Sequence, residues 1–289
     1  MTTLGVVFRP QLPPERLRAV VTRADAAGLD ELWLWEDCFY AAGIASAAAA
    51  LAWTARMRVG IGLLPAPLRN LALTAMEVAT LARLFPDRIE IGIGHGVQDW
   101  MAQVGERVDS PMTLLREHIT ALRALLAGER ITTHGRYVHL DDVALDWPPL
   151  KAPRIVVGAV GPRTIALSGE LADGTLLTGG TTPETVRRVR AQLDEARAAA
   201  GVTGPHRITV YLVAVTGPDA PDRLAAELRS WSLDPMQDVA ISGGAEQLAE
   251  GIRRWSSAGA DAVILQPTAE ESDLEAFIEF VAREVRPLV

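Results

Sequence analysis

Lysine and cysteine are almost missing from the 289-residue sequence, which contains one of each, Lys151 and Cys38. Lys151 stands in a proline-rich segment, so a Schiff-base lysine at the end of a strand is not expected. A single cysteine excludes an internal disulfide and a multi-cysteine metal site, and it predicts a protein of the reducing cytoplasm. Chemistry that depends on a covalent lysine or a cysteine-held metal is therefore set aside.

An excess of positive charge and long hydrophobic runs are also missing. The net charge is −8 and the pI is near 5.2, so nucleic acid and anionic lipid would repel the protein. The longest apolar stretch, 41–55, is interrupted by Gly43 and Ser46 and is too short to span a bilayer. The first residues, MTTLGVVFRP, lack a signal-peptide pattern and are typical of a strand. These features predict a small-molecule partner, with no nucleic acid and no membrane.

Short apolar runs alternate with amphipathic helical segments along nearly the whole chain. The runs that predict strands are 4–8, 31–35, 58–63, 88–93, 154–157, 175–177, 207–215 and 261–265. Eight strands alternating with helices predict parallel βα units closed into a (β/α)8 TIM barrel, an α/β fold with a single domain over residues 1–289. An open doubly wound sheet stays as the alternative, although the first turn, FRPQLPPER, lacks the glycine-rich dinucleotide fingerprint.

Four helical segments show the spacing of a face that packs on the barrel. The expected faces are Leu17, Val20, Val21 and Ala24; Leu73, Met76, Thr80, Leu81 and Leu84; Leu115, His118, Ile119, Leu122 and Leu126; and Val186, Val189 and Leu193. Residues 129–153 break the alternation and predict a hairpin with a proline-rich return, inserted between the fourth helix and the fifth strand. We expect this insertion to shape either the substrate side or a subunit contact.

Two adjacent carboxylates follow the second predicted strand. The side chains that do chemistry in a barrel stand at the C-terminal ends of its strands, which selects Glu36 and Asp37 as candidate catalytic residues. Successive strand residues point to opposite faces, so at most one of the two faces the pocket unless the strand has already ended. The alternative, of about equal weight, is a structural carboxylate that pairs with an arginine or caps the next helix.

The loops after the fourth and fifth predicted strands are rich in glycine. In RIEIGIGHGVQDW, Gly94, His95 and Gly96 expose successive backbone N–H groups where a helix begins, which suits a phosphate or a flat ring. His95 is a candidate catalytic residue and ligand contact, and a structural, hydrogen-bonded histidine is the alternative. In VVGAVGPRT, a glycine-bearing loop enters a helix beside Arg163 and predicts an anion site. A capped helix without a ligand is the alternative there.

Familiar catalytic motifs are missing. The sequence has no nucleophile elbow and no Walker loop, and its five histidines lack the spacing of metal ligands, so no metal site is predicted. Thr178, Gly179 and Gly180 form a second wall of small residues after the sixth strand, and Gln266 ends the eighth strand near the same mouth. A pocket rich in glycine and poor in acids and bases predicts that a bound cofactor carries the reaction.

Three blocks in this order, LPAPLRN, GIGHGVQDW and GAVGPRTIALSGELADG, resemble the bacterial luciferase-like superfamily, in particular its branch of oxidoreductases that depend on the deazaflavin coenzyme F420. The resemblance extends from the first predicted strand to the sixth. It implies a (β/α)8 barrel that binds F420 or FMN at the C-terminal mouth and forms a homodimer. It also implies a non-prolyl cis peptide bond between Gly62 and Leu63, where the third strand ends.

The resemblance further implies which residues hold the cofactor. Its ring would lie against the end of the third strand and the glycines after the fourth, and its phosphate at the loops after the fifth and sixth strands. The implied cofactor-binding residues are Gly62, Leu63, Leu64, Gly94, His95, Gly96, Val97, Ala159, Val160, Gly161, Pro162, Arg163, Thr178, Gly179 and Gly180.

The sequence also departs from the sugar-phosphate dehydrogenases of that family. Their Asp-His pair after the second strand is replaced by Glu36 and Asp37, and their glutamate after the strand-four glycines by Val97. Their substrate-phosphate lysines are missing as well, so that substrate is not carried over.

The leading hypothesis is hydride transfer between F420 and an unknown, largely apolar organic substrate. Glu36 or Asp37 would move a proton, and His95 would orient a ligand. One alternative is an FMN-dependent monooxygenase that uses reduced flavin and O2. Another is a barrel that binds a flavin-like ligand without catalysis.

Overall fold

Residues 2–234 and 236–289 are described by a computed structural model in which eight parallel strands close into a barrel. The strands are β1 (Thr3–Phe8), β2 (Glu31–Leu34), β3 (Arg58–Pro65), β4 (Ile89–Gly94), β5 (Ile131–His134), β6 (His139–Val143), β7 (Arg154–Gly158), β8 (Gly174–Leu177), β9 (Arg207–Val215), β10 (Ala240–Ser242) and β11 (Ala262–Gln266). The barrel order is β1-β2-β3-β4-β7-β8-β9-β11, and β11 pairs with β1 to close the ring. The eight predicted strands and the TIM-barrel fold are confirmed.

Helices surround the barrel. They are α1 (Leu17–Ala27), α2 (Gly43–Ala52), α3 (Leu71–Leu84), α4 (Gln98–Gln103), α5 (Pro111–Leu126), α6 (Pro162–Leu171), α7 (Pro183–Ala199), α8 (Ala220–Ser230), α9 (Ala245–Ser257) and α10 (Leu274–Phe280). α1 ends at Gly28, whose φ of 82° is left-handed and favours glycine. Within the described ranges, no helix is long and apolar enough to cross a membrane.

Three of the four expected helix faces are confirmed, and the fourth is wrong. The predicted residues of α1, α5 and α7 are buried. On α3, by contrast, Leu81 is the one predicted residue that is buried, and the other four are exposed. The helix turns a different face toward the barrel, which carries Val78 and Ala79 among its buried residues. Three large apolar side chains, Leu73, Met76 and Leu84, form a stripe on the outer surface.

The segment 129–153 contains the predicted hairpin. β5 and β6 pair antiparallel and form a separate two-stranded sheet between α5 and β7. The Glu117 carboxylate of α5 accepts backbone hydrogen bonds from Arg136, Tyr137 and Val138 in the hairpin turn, at 2.8 to 3.0 Å. The hairpin is therefore fixed to the helix that precedes it.

The barrel interior is packed with aromatic side chains above a charged floor. Trp33 and Tyr211 meet edge to face in the middle layer, with ring centroids 5.9 Å apart. Below them, the Arg207 guanidinium donates to Glu31 Oε1 at 2.8 Å and to Glu90 Oε2 at 2.6 Å. These ion pairs join β2, β4 and β9 at their N-terminal ends and close the floor of the barrel.

Candidate functional site

The two ends of the barrel offer very different surfaces. A cavity of about 1070 Å³ lies at the N-terminal end, lined by charged side chains that include Arg154 and Glu90, which pair with each other at 2.6 Å. Lys151 also lines it and forms an exposed ion pair with Asp87. This cavity therefore belongs to the charged underside of the barrel. Because the chemistry of TIM barrels takes place at the C-terminal mouth, the candidate site lies at the other end.

Glu36 is held in a structural network beside the mouth. Its Oε2 accepts from the backbone N–H of Gly43, the first residue of α2, at 2.7 Å. Arg69 Nη1 donates to Glu36 Oε1 at 3.0 Å, and the same guanidinium also pairs with Glu77. Glu36 therefore both pairs with an arginine and binds the start of the next helix. These are the two structural roles that the sequence analysis gave as the alternative to catalysis.

Asp37 is placed differently. β2 has already ended at Leu34, so the strand alternation does not fix the direction of Asp37. Asp37 lies near Tyr211, which belongs to the aromatic cluster inside the barrel. Burial raises the pKa of Tyr211, and the charge of Asp37 raises it further. Burial raises the pKa of Asp37 above its ordinary value, and the nearby Arg9 guanidinium opposes the rise. A partly buried carboxyl with a raised pKa holds a proton more readily than a solvated one, so Asp37 is the better placed of the two carboxylates for proton transfer.

The end of β3 shapes the floor of the mouth. The Gly62–Leu63 peptide bond is cis, as the resemblance implied. A Cβ on Gly94 or on Gly158 would overlap Leu63 Cδ2, so these glycines make room for the Leu63 side chain over β4 and β7. Leu64 is fully buried in the hydrophobic core outside the barrel, which leaves only its backbone for a ligand.

Gly92 in β4 is also explained by packing within the chain. A Cβ there would lie 2.5 Å from the backbone oxygen of Ile61 in β3. Gly96 has a φ of 66°, and a Cβ on it would lie 2.8 Å from Pro65 Cβ. The glycines of RIEIGIGHGVQDW thus accommodate β3 first, and any ligand would contact the surface that β3 presents.

His95 connects the loop after β4 to α6. Its Nε2 lies 3.2 Å from Oγ1 of Thr164 in the first turn of α6, within hydrogen-bond distance. Burial lowers the pKa of His95, and the nearby backbone of Pro111 opposes that shift. A neutral imidazole is therefore favoured at neutral pH. Val97, the next predicted contact, is exposed at the N-terminal end of α4.

The predicted anion site lies at the start of α6. Ala159 is buried, whereas Val160 is 82% exposed. A Cβ on Gly161 would meet no atom within 4 Å, and Pro162 and Arg163 begin the helix. The contact between His95 and Thr164 brings this helix start next to the loop after β4, so the two glycine-rich segments form one surface.

Thr178, Gly179 and Gly180 follow β8, the neighbour of β7 in the barrel. Gly180 has a φ of 88°, and a Cβ on it would lie 2.7 Å from Leu233 Cδ2. A Cβ on Gly179 would lie 3.3 Å from Gln266 Oε1. These small residues therefore lie between the anion site and the end of β11.

One buried ion pair at the mouth was missed by the sequence analysis. Arg9 Nη1 at the end of β1 contacts Glu227 Oε1 in α8 at 2.5 Å and donates to the Pro267 carbonyl at 3.0 Å. The same carboxylate oxygen of Glu227 accepts from Trp231 Nε1 at 2.9 Å, and Trp231 packs on Trp35 with ring centroids 6.2 Å apart. Since 218 residues separate Arg9 from Glu227, no local signal could have revealed the pair.

Comparison with known proteins identifies the family of the chain and several relatives. The chain matches the luciferase-like monooxygenase family over residues 3–234. The F420-dependent glucose-6-phosphate dehydrogenase of Microbacterium testaceum is 31% identical over 185 residues, covering 62% of this chain and 55% of that protein. The chain spans about half the length of the curated relatives that it matches.

Solved structures share the fold at low sequence identity. An F420-dependent secondary alcohol dehydrogenase in complex with an F420–acetone adduct has a TM-score of 0.89 and 20% identity, covering 100% of this chain and 99% of that one. The oxygenating component of 3,6-diketocamphane monooxygenase from Pseudomonas putida, in complex with FMN, has a TM-score of 0.80 and 17% identity, with the same coverage. These likenesses establish the fold, and the family match covers most of the sequence. The chain belongs to the luciferase-like monooxygenase family.

Proposed function

We propose that the protein is an oxidoreductase that transfers a hydride between coenzyme F420 and a small, neutral, largely apolar organic substrate. The observation that carries the proposal is the division of the mouth into two halves. The ends of β3, β4, β7 and β8 form a cofactor half, which holds the candidate cofactor residues. The ends of β9, β11, β1 and β2 form an acid half, which holds Asp37. The F420-dependent relatives and structural neighbours support the choice of cofactor.

The residues of the cofactor half fit a flat ring that carries a phosphate. Leu63 presents an apolar platform over glycine-bearing strands. A Cβ on Gly161 would meet no atom within 4 Å, so the start of α6 is open, and Arg163 is exposed beside it. A helix start with an adjacent cation suits a phosphate. The deazaflavin would supply the redox chemistry when bound, because the chain itself has no redox group apart from Cys38. His95 would fix the loop that borders the ring, and Asp37 would hold or accept the proton at its carboxylate.

The charges at the mouth favour a neutral substrate. The guanidinium groups of Arg9 and Arg69 are already paired with Glu227 and Glu36, so neither is free to bind a substrate phosphate. The loops after β2, β4 and β7 expose Phe39, Tyr40, Val97 and Val160. We infer that this apolar rim contacts a hydrophobic portion of the substrate.

An FMN-dependent monooxygenase is the second candidate, favoured by the FMN complex among the structural neighbours. The two candidates differ in cofactor, so a titration separates them. Purified protein is titrated with F420 and, separately, with FMN, and binding is followed by tryptophan fluorescence. We expect micromolar or tighter binding of F420 and much weaker binding of FMN. Preference for FMN would favour the monooxygenase, and binding of neither would refute both candidates.

A matched pair of variants tests the proposed phosphate position in the same titration. Arg163→Ala removes the exposed cation beside α6 and is expected to weaken F420 binding by about tenfold, which corresponds to about 1.4 kcal/mol. Arg130→Ala removes an exposed arginine beside Glu129, which lines the cavity at the N-terminal end of the barrel, and is expected to leave the affinity unchanged. Equal affinities of the two variants would place the phosphate elsewhere.

We also propose that the protein forms a homodimer through the outer surface of α3. Leu73, Met76 and Leu84 form an apolar stripe there, and large exposed apolar patches commonly mark protein contacts. A second copy of the chain is the partner that the family resemblance implies. A cytoplasmic location stays a proposal that rests on the single cysteine.

A further inference from the structure

Gln266 is a buried polar side chain that the proposed mechanism does not use. It ends β11 and is 0% exposed. Neither its Oε1 nor its Nε2 has a hydrogen-bond partner in residues 2–234 and 236–289. A buried amide without partners is costly, because it gives up its hydrogen bonds to water and gains none in return. Such a group in a functional mouth calls for a ligand that satisfies it.

The position of Gln266 shows where such a ligand would lie. Ala262 and Ile264, which precede it on the same face of β11, belong to the aromatic cluster inside the barrel, so Gln266 continues that inward face at the mouth. Its Oε1 lies 3.3 Å from where a Cβ of Gly179 would stand. The amide therefore reaches across β9 to the border between the acid half and the cofactor half.

We propose that the side-chain amide of Gln266 binds the oxygen-bearing group of a neutral substrate at this border. The proposal rests on the hydride-transfer function given above and names the residue that would position its substrate. An amide suits both members of a ketone and alcohol pair. Its Nε2 donates to a carbonyl oxygen, and its Oε1 accepts from a hydroxyl group. A cationic side chain at this position would select an anion instead.

The surroundings of Gln266 support a neutral ligand. Trp231 and Val213 both lie 3.9 Å from the same Gly179 Cβ position, so the amide is bordered by apolar groups. Arg9, which donates to the carbonyl of the next residue, Pro267, is compensated by Glu227 at 2.5 Å. A site that rejects substrates lacking a hydrogen-bonding group needs such a fixed polar atom within an apolar wall.

The test compares Gln266→Met with the wild type in two measurements. Methionine keeps the length of the side chain and removes the amide. If the amide is unpartnered in the free protein, the thermal midpoint of the variant stays the same or rises. Binding of cyclohexanone and of cyclohexanol, followed by the fluorescence of the neighbouring tryptophans, is expected to weaken at least tenfold. Gln103→Met, an exposed glutamine at the end of α4, serves as the control and should change neither quantity.

Each other outcome overturns the assignment. A lower thermal midpoint for Gln266→Met would mean that the amide has a structural partner. Probe binding that is unchanged, or absent from the wild type, would mean that Gln266 does not bind this group. Weakened binding of F420 with unchanged probe binding would make Gln266 a cofactor contact. The proposed function is judged separately, by F420 binding to the wild type. The probe titrations are run with and without F420. Failure of the Gln266 assignment is therefore distinguishable from failure of the proposed function.

Discussion

Glu36 and Asp37 are neighbours in the sequence but have opposite surroundings in the fold. Glu36 accepts from Arg69 and from the start of α2, so Glu36→Gln is expected to lower the free energy of unfolding by about 1–3 kcal/mol. Burial raises the pKa of Asp37, which means that the fold disfavours its ionised form at pH 7. Asp37→Asn removes that charge and should leave the stability unchanged or raise it.

Urea unfolding of both variants at pH 7 measures these changes. Each variant serves as the control for the other, because both replace a carboxylate with its amide at adjacent positions. Equal loss of stability in both variants would contradict the separation of roles. Once a substrate is known, Asp37→Asn should lower turnover strongly while F420 affinity stays near the wild-type value.

The Leu63 side chain packs directly on glycines of the neighbouring strands, and this contact gives a second prediction for single residues. Gly158→Ala places a Cβ where Leu63 Cδ2 now lies, and we expect it to lower stability by about 1–3 kcal/mol through overpacking. Leu63→Ala removes the obstacle, so the double variant should lose less than the sum of the two single changes. A double-mutant cycle by urea unfolding measures this coupling. Additive losses would mean that Leu63 and Gly158 do not compete for the same space.

At the scale of elements, the strands were easier to predict than the helix faces. Each barrel strand is a short apolar run between turn residues, and all eight were found from that pattern. α3 is apolar on both faces, so its periodicity could not say which face packs inward. The choice depends on the distance between the helix and the barrel, which the sequence of one helix does not contain.

The exposed stripe of α3 gives a prediction at this scale. We expect the wild type to be a dimer, and Leu73→Glu combined with Met76→Glu to be a monomer with unchanged helix content. The reason is that two carboxylates would be buried without partners in an apolar contact. Light scattering after size-exclusion chromatography measures the mass, and circular dichroism measures the helix content. Ala191→Glu, an exposed position of α7, is the control. A monomeric wild type would refute the proposed contact.

At the scale of the whole molecule, two buried histidines make stability depend on pH. Burial lowers the pKa of both His118 and His206 to about 4, and nearby arginines add to the effect. The unfolded chain takes up these protons near pH 6.5, before the folded chain does. Stability should therefore be fully present above pH 6.5 and fall as the pH drops toward 4. Each histidine contributes a slope of up to about 1.4 kcal/mol per pH unit.

Urea unfolding between pH 7 and pH 4.5 measures this slope. His118→Asn removes one of the two groups and should flatten the dependence, whatever its effect on stability at pH 7. His134→Asn, in the exposed hairpin, is the matched control. An equal slope for the wild type and for His118→Asn would contradict the assignment to His118.

The candidate site was predictable only in part. Local motifs found the glycine-rich loops, His95 and the adjacent carboxylates, because each is written in a short stretch of sequence. The choice between Glu36 and Asp37 needed Arg69, 33 residues further along the chain. The pairing of Arg9 with Glu227 and the buried amide of Gln266 depend on how the ring of strands closes, which no short stretch encodes.

The near absence of lysine has a practical consequence once its position is known. The one lysine side chain, Lys151, is exposed at the charged underside of the barrel, beside Asp87. Reagents that couple to amines can attach the protein to a solid support through only one side chain, Lys151, apart from the α-amino group of the chain. Molecules attached through Lys151 would present the mouth of the barrel to the surrounding solution, without an engineered tag at the mouth.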